Sequence, residues 1–489
     1  MKFGLEQHII DKLITVFEQH SKVDKALVFG SRAKGNYRPD SDIDIAIKGH
    51  GLNTDDIIAM CVAFEEKGIT HKIDLINYQS IKEPDLKEHI DRVGIDFYSR
   101  WKIYKFGDIA QIIGGGTPST SNPNNWNGDI PWLTPRDLTG YTNVYISKGE
   151  RNITNEGLTN SSARMLPKGS VLLTSRAPIG YVVIASNEIC TNQGFKNLIL
   201  NETIAHNLFI YYWLKNNVEY LQSIGTGTTF AEISASTVKD VDIELPPLSE
   251  QKEIASVLNS IDLKIELLQS QNETLEKLAD TLFRQWFVED AEESWETKKV
   301  SEIIEIRDGT HDSPKQTETG KFLITSKHLK PTGIDFSSAY KISENDFIEV
   351  NKRSKVDKDD ILFSMIGTLG LIHYVDQEPD FAIKNIGLFK SSQKPSFARF
   401  LFLLLISPEG KRFVYENADG STQEYITLGS LRKFEFKYPG EKRIIEFDLE
   451  VKPIFQKIDS NTSQIRSLTQ TRDTLLPKLM SGEVMVNLN

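Results

Sequence analysis

The sequence has little cysteine, no long apolar run and no excess of positive charge, and each absence removes a class of protein. Its two cysteines, Cys61 and Cys190, lie far apart in a chain of 489 residues, which suggests neither a disulfide framework nor a metal motif. No apolar run approaches the roughly 20 residues that span a bilayer. The N-terminal stretch MKFGLEQHIIDKLITVFEQH is amphipathic and contains acidic residues, unlike a signal peptide. We therefore expect a cytoplasmic protein.

Two catalytic motifs are also missing. The chain has no G-x-x-x-x-G-K-[ST] loop of a nucleotide-driven motor. It has no Asn-Pro-Pro-aromatic motif for amino methylation, since its single Pro-Pro pair is Pro246-Pro247. The net charge of −11 argues mildly against nucleic-acid binding, but residues 249–294 alone hold eleven acidic and four basic residues. The long regions on either side are nearly neutral, so a local basic face on each of them stays open.

An internal repeat organises most of the chain. Matching blocks recur at an offset of 190 to 194 residues, beginning at Trp101 and Trp295. The pairs include KGSVLLTSRAPIG with KDDILFSMIGTLG, NQGF with NIGL, GTTFAEIS with GSTQEYIT, and LPPLSEQKEI with YPGEKRIIEF. A nearly constant offset over six blocks indicates a unit of about 190 residues that is present twice.

Each copy contains a strand-rich part followed by a long helix. Short apolar runs bounded by Gly, Pro and Asn predict the strands. Heptad spacing predicts the helices. The first seam consists of Ile254, Leu258, Ile261, Ile265, Leu268, Asn272, Leu275, Ala279 and Leu282. The second, weaker seam consists of Ile454, Ile458, Asn461, Ile465, Leu468, Leu475 and Leu479, with Arg472 at one seam position.

Two arrangements of these helices are open from the spacing alone. Each helix could pack on its own domain, or the two could pair and form a rod with a globular domain at each end. The second arrangement would have pseudo-two-fold symmetry. Two similar domains at a fixed separation suit a split DNA site, whose half-site spacing mirrors the geometry of the protein.

Residues 101–489 resemble the specificity subunit of type I restriction-modification systems. The resemblance rests on GGTPST (115–120), IPWLTPRDL (130–138), LLTSRAPIG (172–180), LPPLSEQKEIASVL (245–258) and LLPKLMSGEV (475–484). It implies two target-recognition domains that read a bipartite site on double-stranded DNA, with the long helices as a coiled-coil spacer. It also implies partners: two methyltransferase subunits and restriction/translocase subunits. These partners would use S-adenosylmethionine and ATP, while the specificity part itself would need no cofactor.

The polar loops of the two copies are the predicted DNA contacts, because base edges and phosphates are read by basic, amide and hydroxyl side chains. Many of these stretches are also ordinary turn sequences, so a turn or cap role is the alternative for each residue. In the first copy the candidates are Thr117, Ser119, Arg136, Arg176, Gln193, Thr228 and Thr229. In the second copy they are Lys327, His328, Lys384, Asn385, Ser421, Thr422 and Gln423.

The first hundred residues lie outside the repeat and predict a small α/β domain. Asp42 and Asp44 alternate with apolar residues in DIDIAI, so on a strand both carboxylates face one side. Asp74 lies in a second short strand, KIDLI. Three carboxylates from adjacent strands predict a Mg²⁺ site that takes a nucleoside triphosphate. Gly30 ends the preceding strand in a turn whose backbone amides could meet phosphate.

Gly-Ser, then D-x-D, then a third Asp at this spacing resembles the minimal nucleotidyltransferase family, which is related to polymerase-beta-type transferases. The resemblance covers residues 1–99. It implies that Asp42, Asp44 and Asp74 are catalytic metal ligands, with Asp74 the base. It further implies that Gly30, Ser31, Arg32 and Lys34 contact the nucleotide. Related minimal transferases often act as antitoxins, so a toxin partner is a further expectation.

The predicted fold class is multidomain, α/β and α+β. We expect a small nucleotidyltransferase domain (1–99), target-recognition domain 1 (100–248), spacer helix 1 (249–291), target-recognition domain 2 (292–440) and spacer helix 2 (441–489). The leading hypothesis is a DNA-specificity subunit with an appended nucleotidyltransferase-like domain. The alternatives are a nucleotidyltransferase that uses the repeat to select its target, and an antitoxin-like regulator of the restriction complex.

Overall fold

The structure, a computed structural model, describes residues 2–227, 231–330, 333–420, 424–484 and 486. The chain divides into two compact units. The first contains Met1–Lys264 and Leu468–Asn489, and the second contains Ile265–Ser467. Among the described residues, no helix combines the length and the apolar character that crossing a membrane requires.

The N-terminal domain, part of the first unit, is a four-stranded sheet covered by helices. In sheet order the strands are Ile73–Asn77, Ile43–Gly49, Val23–Val28 and Ile95–Ser99, and only the first two run parallel. The helices are Gln7–Gln19, Gly30–Lys34, Thr54–Glu66 and Pro84–Val93. Alternation in DIDIAI buries Ile43, Ile45 and Ile47 completely in the core. The small α/β domain is thus as predicted, but the short helix Gly30–Lys34 stands where a turn was expected after the first strand.

The first repeat copy builds a five-stranded and a three-stranded sheet. The five strands, in sheet order, are Ala110–Gly114, Phe195–Leu200, Val171–Ser175, Ile179–Ala185 and Tyr145–Ile146. The three are Cys190–Thr191, Trp126–Leu133 and Arg151–Ile153, and a further pair joins Lys102–Lys105 to Asp242–Leu245. The helices are Phe106–Ile109, Asn155–Thr159, Asn207–Asn216, Val218–Ser223 and Ala235–Asp240, with short 3₁₀ turns at Pro123–Asn125 and Pro135–Leu138.

The second copy repeats this plan with four strands in its main sheet. These are Ile306–Asp308, Ile386–Phe389, Ile361–Ser364 and Ile372–Tyr374, in that order. The three-stranded sheet is Tyr340–Ile342, Lys321–Thr325 and Phe381–Lys384, and the two pairs are Glu296–Lys299 with Glu435–Tyr438 and Leu329–Lys330 with Gly333–Ile334. The helices are Glu344–Ser354, Pro395–Ile406, Pro408–Glu416 and Leu428–Leu431, with 3₁₀ turns at Val300–Glu302, Ser326–His328 and Ser391–Gln393. The predicted repeat is thus also a repeat of topology.

Two long helices follow the two copies, Leu248–Arg284 and Glu441–Met480. A single π-turn, Gln285–Glu289, extends the first helix. Within the first unit, Arg472 Nη1 lies 2.8 Å from Asp262 Oδ1. Within the second unit, Asn461 Nδ2 donates to Asn272 Oδ1 at 2.9 Å. In the first unit, Ile254 near the start of the first helix shares a core with Leu479 near the end of the second. In the second unit, Phe283 near the end of the first helix packs on Phe447 near the start of the second. In each unit the helices therefore pair antiparallel, and the coiled-coil prediction is confirmed.

Candidate nucleotide and nucleic-acid sites

The three aspartates of the N-terminal domain lie on or beside two neighbouring strands. Strands Ile43–Gly49 and Ile73–Asn77 are parallel, and their register makes Asp44 and Asp74 Cα partners. Side chains at paired positions leave the sheet on the same face, so these two carboxylates share one side. Burial raises the pKa of the Asp44 carboxyl, and the negative charges of Asp74 and Asp42 raise it further. Bound positive charge would relieve this repulsion.

Gly30 brings a backbone turn against the same carboxylate. It begins the short helix Gly30–Lys34 with a φ of +67°, and a β-carbon here would lie 2.0 Å from Asp44 Oδ2. Glycine is therefore required both for the space and for the left-handed backbone. Ser31 follows half-buried, and Lys34 is exposed at the end of the helix. Contact of these three residues with a nucleotide stays a prediction.

Arg32 does not have a side chain free for phosphate, which corrects its predicted role. The residue is 2% exposed, and its guanidinium donates to the backbone carbonyls of Ser41 at 2.7 Å and Phe3 at 3.1 Å. A further bond to the carbonyl of Asp42 measures 3.2 Å. Because these carbonyls occupy its charged donors, Arg32 fixes the loop that leads into Asp42.

Lys72 pairs with Asp42 and changes the predicted metal site. Its Nζ lies 2.6 Å from Asp42 Oδ2, and this hydrogen bond is the main cause of a raised pKa of Lys72. Among the residues that the structure describes, no three His, Cys, Asp or Glu side chains are gathered closely enough to hold a metal ion. The three predicted aspartate ligands are therefore not gathered around one point. At Asp42, the ammonium group of Lys72 supplies the positive charge that a metal cation would bring.

The oxygen donors nevertheless have the chemistry that a hard divalent cation prefers. Asp44 and Asp74 face the same side in register. After burial, the negative charges of Asp74 and Asp42 are the next causes of the raised pKa of Asp44, and each outweighs the opposing effect of Lys72. Binding of Mg²⁺ by all three carboxylates would need Asp42 to exchange Lys72 for the cation. The residues present thus fit the metal in kind.

Several predicted loops of the first copy meet at one edge of its sheets. Strand Phe195–Leu200 pairs antiparallel with Ala110–Gly114 and with Val171–Ser175, so it begins where those two strands end. Four loops follow the ends of these strands and of the neighbouring strands Trp126–Leu133 and Cys190–Thr191. We call them the first loop edge, which consists of residues 114–118, 134–136, 175–178 and 192–194. Ser175 N donates to the carbonyl of Gly194 at 2.7 Å, which ties two of the loops together.

Thr117 and Gln193 are brought together although 76 residues separate them. The Thr117 hydroxyl donates to the side-chain amide oxygen of Gln193, and both residues are exposed. Ser119 is also exposed, with its hydroxyl 2.8 Å from that of Ser121. Its carbonyl accepts from the Trp126 indole at 3.2 Å, so the backbone of Ser119 is fixed while the hydroxyl faces solvent.

The two predicted arginines of the first copy differ in availability. Arg136 is exposed and makes no side-chain hydrogen bond or ion pair to any described residue. Arg176 is half-buried, with Nη1 3.5 Å from Glu232 Oε2. The other oxygen of Glu232 accepts from Lys196 at 3.0 Å, and Lys196 is only 8% exposed. Arg176 therefore shares its counter-ion with a buried lysine.

The second copy brings its predicted residues together at the corresponding edge, formed by residues 309–313, 326–328, 365–368 and 384–385 and called the second loop edge. Lys384 donates to the Ser313 hydroxyl. The Asn385 carbonyl accepts from Ser326 at 2.9 Å, and its side-chain oxygen lies 2.9 Å from His311 Nδ1. A groove of about 650 Å³ opens beside these residues, with Lys327 and Lys330 in its wall.

His328 is a structural residue, which corrects its predicted contact with DNA. It is fully buried, and Thr325 N donates to its Nδ1 at 2.9 Å. Its Nε2 lies 3.3 Å from the Ser338 carbonyl, and burial lowers its pKa. The imidazole thus caps a turn inside the domain, whereas the preceding Lys327 is exposed.

Five other predicted DNA contacts fall in parts of the chain that the structure does not describe. They are Thr228, Thr229, Ser421, Thr422 and Gln423.

Sequence reasoning missed the ionic partners at these sites. Glu232 lies in the repeated block GTTFAEIS and could have been found there as an acidic residue among loops that are predicted to contact DNA. Lys72 lies two residues before Asp74, and this spacing indicated its pairing with a carboxylate less clearly than the repeated block indicated Glu232. No sequence pattern indicated the pair of Asp308 and Arg353, because 45 residues separate them and only the fold brings them together.

Two family models match the chain. The model for the type I restriction modification DNA specificity domain matches residues 98–277 and 292–466. The model for polymerase beta nucleotidyltransferases matches residues 11–102. The first model matches twice and spans most of the chain, and the second covers the N-terminal domain. Both predicted resemblances are confirmed.

Individual relatives agree with the family models. A specificity subunit of the type I restriction enzyme MjaIX from Methanocaldococcus jannaschii is 36% identical over 410 residues, which cover 79% of this chain and 94% of the relative. The MjaVIII specificity subunit of the same organism is 24% identical over 443 residues, covering 85% and 100%. The crystal structure of a type I system S subunit from M. genitalium has a TM-score of 0.52 at 21% identity, covering 80% of this chain and 97% of that one. The similarity of that structure supports the fold described above for this chain.

Proposed function

Because this chain belongs to the type I restriction-modification DNA specificity family, we propose that it selects the DNA sequence on which a restriction-modification complex acts. Each repeat copy would read one half of a bipartite site on double-stranded DNA, with the two long helices as the spacer. We propose the cytoplasm as the place where it acts.

The observation that carries this proposal is the recurrence of a polar loop edge in both copies. In each copy the loops after the central strands meet, and they expose amide, hydroxyl and basic side chains such as Gln193, Arg136 and Lys327. Hydrogen-bonding groups of these kinds read base edges and phosphates. Two edges that differ in their side chains would read two different half-sites.

Chemistry on the DNA would come from partners in this proposal. The sequence contains neither of the motifs for ATP-driven translocation and amino methylation described above. Methyltransferase subunits would supply S-adenosylmethionine chemistry after extruding a base from the duplex. Restriction subunits would supply ATP-driven translocation and cleavage. Double-stranded DNA and these two kinds of subunit are therefore the proposed partners.

The test is to co-express the chain with the methyltransferase encoded beside it and to map methylated bases across the host genome. We expect a split motif of two short half-sites with a fixed gap. Methyltransferase alone is the control and should leave no such motif. A stable complex that methylates without any sequence preference would contradict the proposal.

A second function is proposed for the N-terminal domain, which is a nucleotidyltransferase domain by its family match. The observation that favours it is the in-register pair of Asp44 and Asp74 beneath the turn at Gly30. Asp42 and Asp44 would hold Mg²⁺ with a nucleoside triphosphate, and Ser31 and Lys34 would contact the phosphates. Bound Mg²⁺ would neutralise the phosphates and stabilise the leaving pyrophosphate.

The proposed transfer joins an acceptor hydroxyl to the α-phosphorus of the nucleotide. The bond from the α-phosphorus to the bridging oxygen breaks, pyrophosphate leaves, and Asp74 takes the proton of the hydroxyl. Incubation of the purified chain with labelled nucleoside triphosphates, Mg²⁺ and proteins encoded beside it tests the activity. Label should appear on an acceptor and should be absent with Asp44→Ala. Absence of label with every nucleotide would contradict this activity.

The enzyme-first alternative is an antitoxin-like transferase whose repeat region selects a target protein, a toxin among the candidates. It predicts transfer to that protein by the chain alone, without dependence on methyltransferase. A toxin gene beside this one, together with a missing methylation motif, would favour it over the specificity role.

A further inference from the structure

Asp308 is the centre of a charged cluster at the second loop edge. Its side chain is almost fully buried. One carboxylate oxygen accepts from Arg353 Nη2, and the other lies 2.9 Å from His311 Nε2. A buried carboxylate with one partner on each oxygen holds both partners in fixed positions through charge-assisted hydrogen bonds.

Both partners of Asp308 reach solvent. The side chains of Arg353 and His311 are 63% and 66% exposed, whereas that of Asp308 is 9% exposed. Apart from Asp308, the guanidinium of Arg353 contacts no described side chain through a hydrogen bond or ion pair, so most of its N–H donors are available. His311 is steadied on its other side by Asn385, at 2.9 Å.

The described residues of the first copy contain no equivalent of this cluster. Asp308 ends the strand Ile306–Asp308 and precedes the Gly-Thr pair, where the first copy has the run Gly114–Gly116. That run has no ionisable side chain. Two domains that read different half-sites must differ in the donors they present, and this is a position where they do.

We infer that Asp308, Arg353 and His311 form a base-reading unit of the second copy, in which Arg353 donates to the guanine of one G·C pair. The inference rests on the proposed DNA-specificity function. The planar guanidinium matches the O6 and N7 acceptors that guanine presents in the major groove. Asp308 is the positioning residue, since it holds the guanidinium in one orientation before DNA arrives. Neither Asp308 nor Arg353 is among the contacts predicted from sequence.

The test uses the full chain assembled with its methyltransferase and the target mapped for that complex. Binding is measured by fluorescence anisotropy on the mapped duplex and on duplexes with each G·C pair of each half-site replaced in turn. The variants are Arg353→Ala and Asp308→Asn. Lys352→Ala is the matched control, because this neighbouring exposed lysine pairs with Glu349 on its own helix.

Arg353→Ala should weaken binding to the mapped duplex by roughly ten- to a hundredfold and should remove the preference for guanine at one position of one half-site. The other half-site should be read as before. Asp308→Asn should relax the same position, which a general loss of stability would not do. Lys352→Ala should bind like the unaltered chain.

Two results would overturn the inference. Equal weakening on every duplex would make Arg353 a phosphate contact, and unchanged binding would mean that it touches no DNA. Arg353 is exposed, so its substitution keeps the test valid even where Asp308→Asn does not fold. An unaltered complex without any split motif would instead refute the proposed specificity function, and this inference with it.

Discussion

At the scale of single residues, Lys72 pairs with a carboxylate that is predicted to bind a metal. Its ammonium lies 2.6 Å from Oδ2 of Asp42. We predict that Lys72→Ala binds Mn²⁺ or Mg²⁺ more tightly than the unaltered chain, because Asp42 is then free and its charge is unbalanced. Calorimetric titration of the purified chain with the metal measures the change, without need of activity.

Lys82→Ala is the control for this prediction, since Lys82 is an exposed lysine of the same domain. It should leave metal affinity unchanged. Weaker metal binding after Lys72→Ala would mean that the lysine supports the site and does not compete with the cation.

The role of a residue could be predicted from the sequence where that role depends only on residues close to it in the chain. The D-x-D alternation and the glycine before it are local patterns, and Gly30 does lie against Asp44. Arg32 was predicted to contact the nucleotide because of the resemblance to nucleotidyltransferases, and His328 to contact DNA because it lies in a polar loop, yet both are buried. Burial is decided by distant segments that pack over a residue, and short sequence motifs contain no information on this.

At the scale of elements, the paired long helices are the part that spacing predicted best. Seam residue Leu268 is 1% exposed, whereas its neighbour Leu267 is 50% exposed. We predict that Leu268→Gln lowers the free energy of unfolding by about 2–5 kcal/mol, since it removes buried apolar contacts and buries an amide. Thermal unfolding followed by circular dichroism measures the loss.

Leu267→Gln is the matched control and should shift the transition little. Equal transitions for the two variants would count against a stabilising role of the helix pair.

The elements that spacing did not predict are those without a strong period. Strand Ile95–Ser99 is an edge strand with an exposed Ile95 and Asp96, so its alternation is weak.

The second long helix also contains an acid that works against folding at neutral pH. Burial and, after it, the charge of Asp376 raise the pKa of Asp459 to about 6, against the opposing effect of Arg399. A carboxyl with a raised pKa in the folded state stays protonated where the unfolded chain has already ionised. Stability is therefore full below the unfolded pKa of 3.8 and falls as pH rises from there to about 6.

Asp459→Asn should consequently raise the melting temperature at pH 7.5 and have much less effect at pH 4. Paired thermal melts at the two pH values measure the difference. Glu450→Gln, at an exposed position of the same helix, is the control and should show no such pH dependence. Equal effects of Asp459→Asn at both pH values would contradict the raised pKa.

At the scale of the whole molecule, the repeat is not a strict symmetry. In the first unit, Asp262 joins Tyr212 at 2.7 Å and Arg472 at 2.8 Å. In the second unit, Phe455 of the second long helix packs against Phe402, with ring centres 5.8 Å apart. Polar contacts fix a long helix in both units, since Arg399 Nη1 in the second unit lies 2.8 Å from Asp448 Oδ1 of the helix Glu441–Met480, but the residues that make these contacts differ. The constant offset in sequence predicted two copies, but not this difference between them.

The N-terminal domain contacts the rest of the first unit through residues other than its carboxylates. Arg100 Nη2 lies 2.8 Å from Glu250 Oε2 at the start of the first long helix. His50 Nε2 lies 3.0 Å from the carbonyl of Glu483, beyond the end of the second. The nucleotide site and the junction therefore use separate residues.

This separation predicts that the nucleotide site can be disabled without loss of DNA recognition. Asp42→Ala combined with Asp44→Ala removes the carboxylates and leaves the Arg100 and His50 contacts in place. We expect the assembled complex to methylate its target within a few-fold of the unaltered rate, measured by methylation of a duplex that contains the mapped site. Circular dichroism controls for the fold. Loss of methylation by a folded double variant would mean that the carboxylates act on DNA recognition, and the N-terminal domain would then be a regulator of the complex and not an independent module.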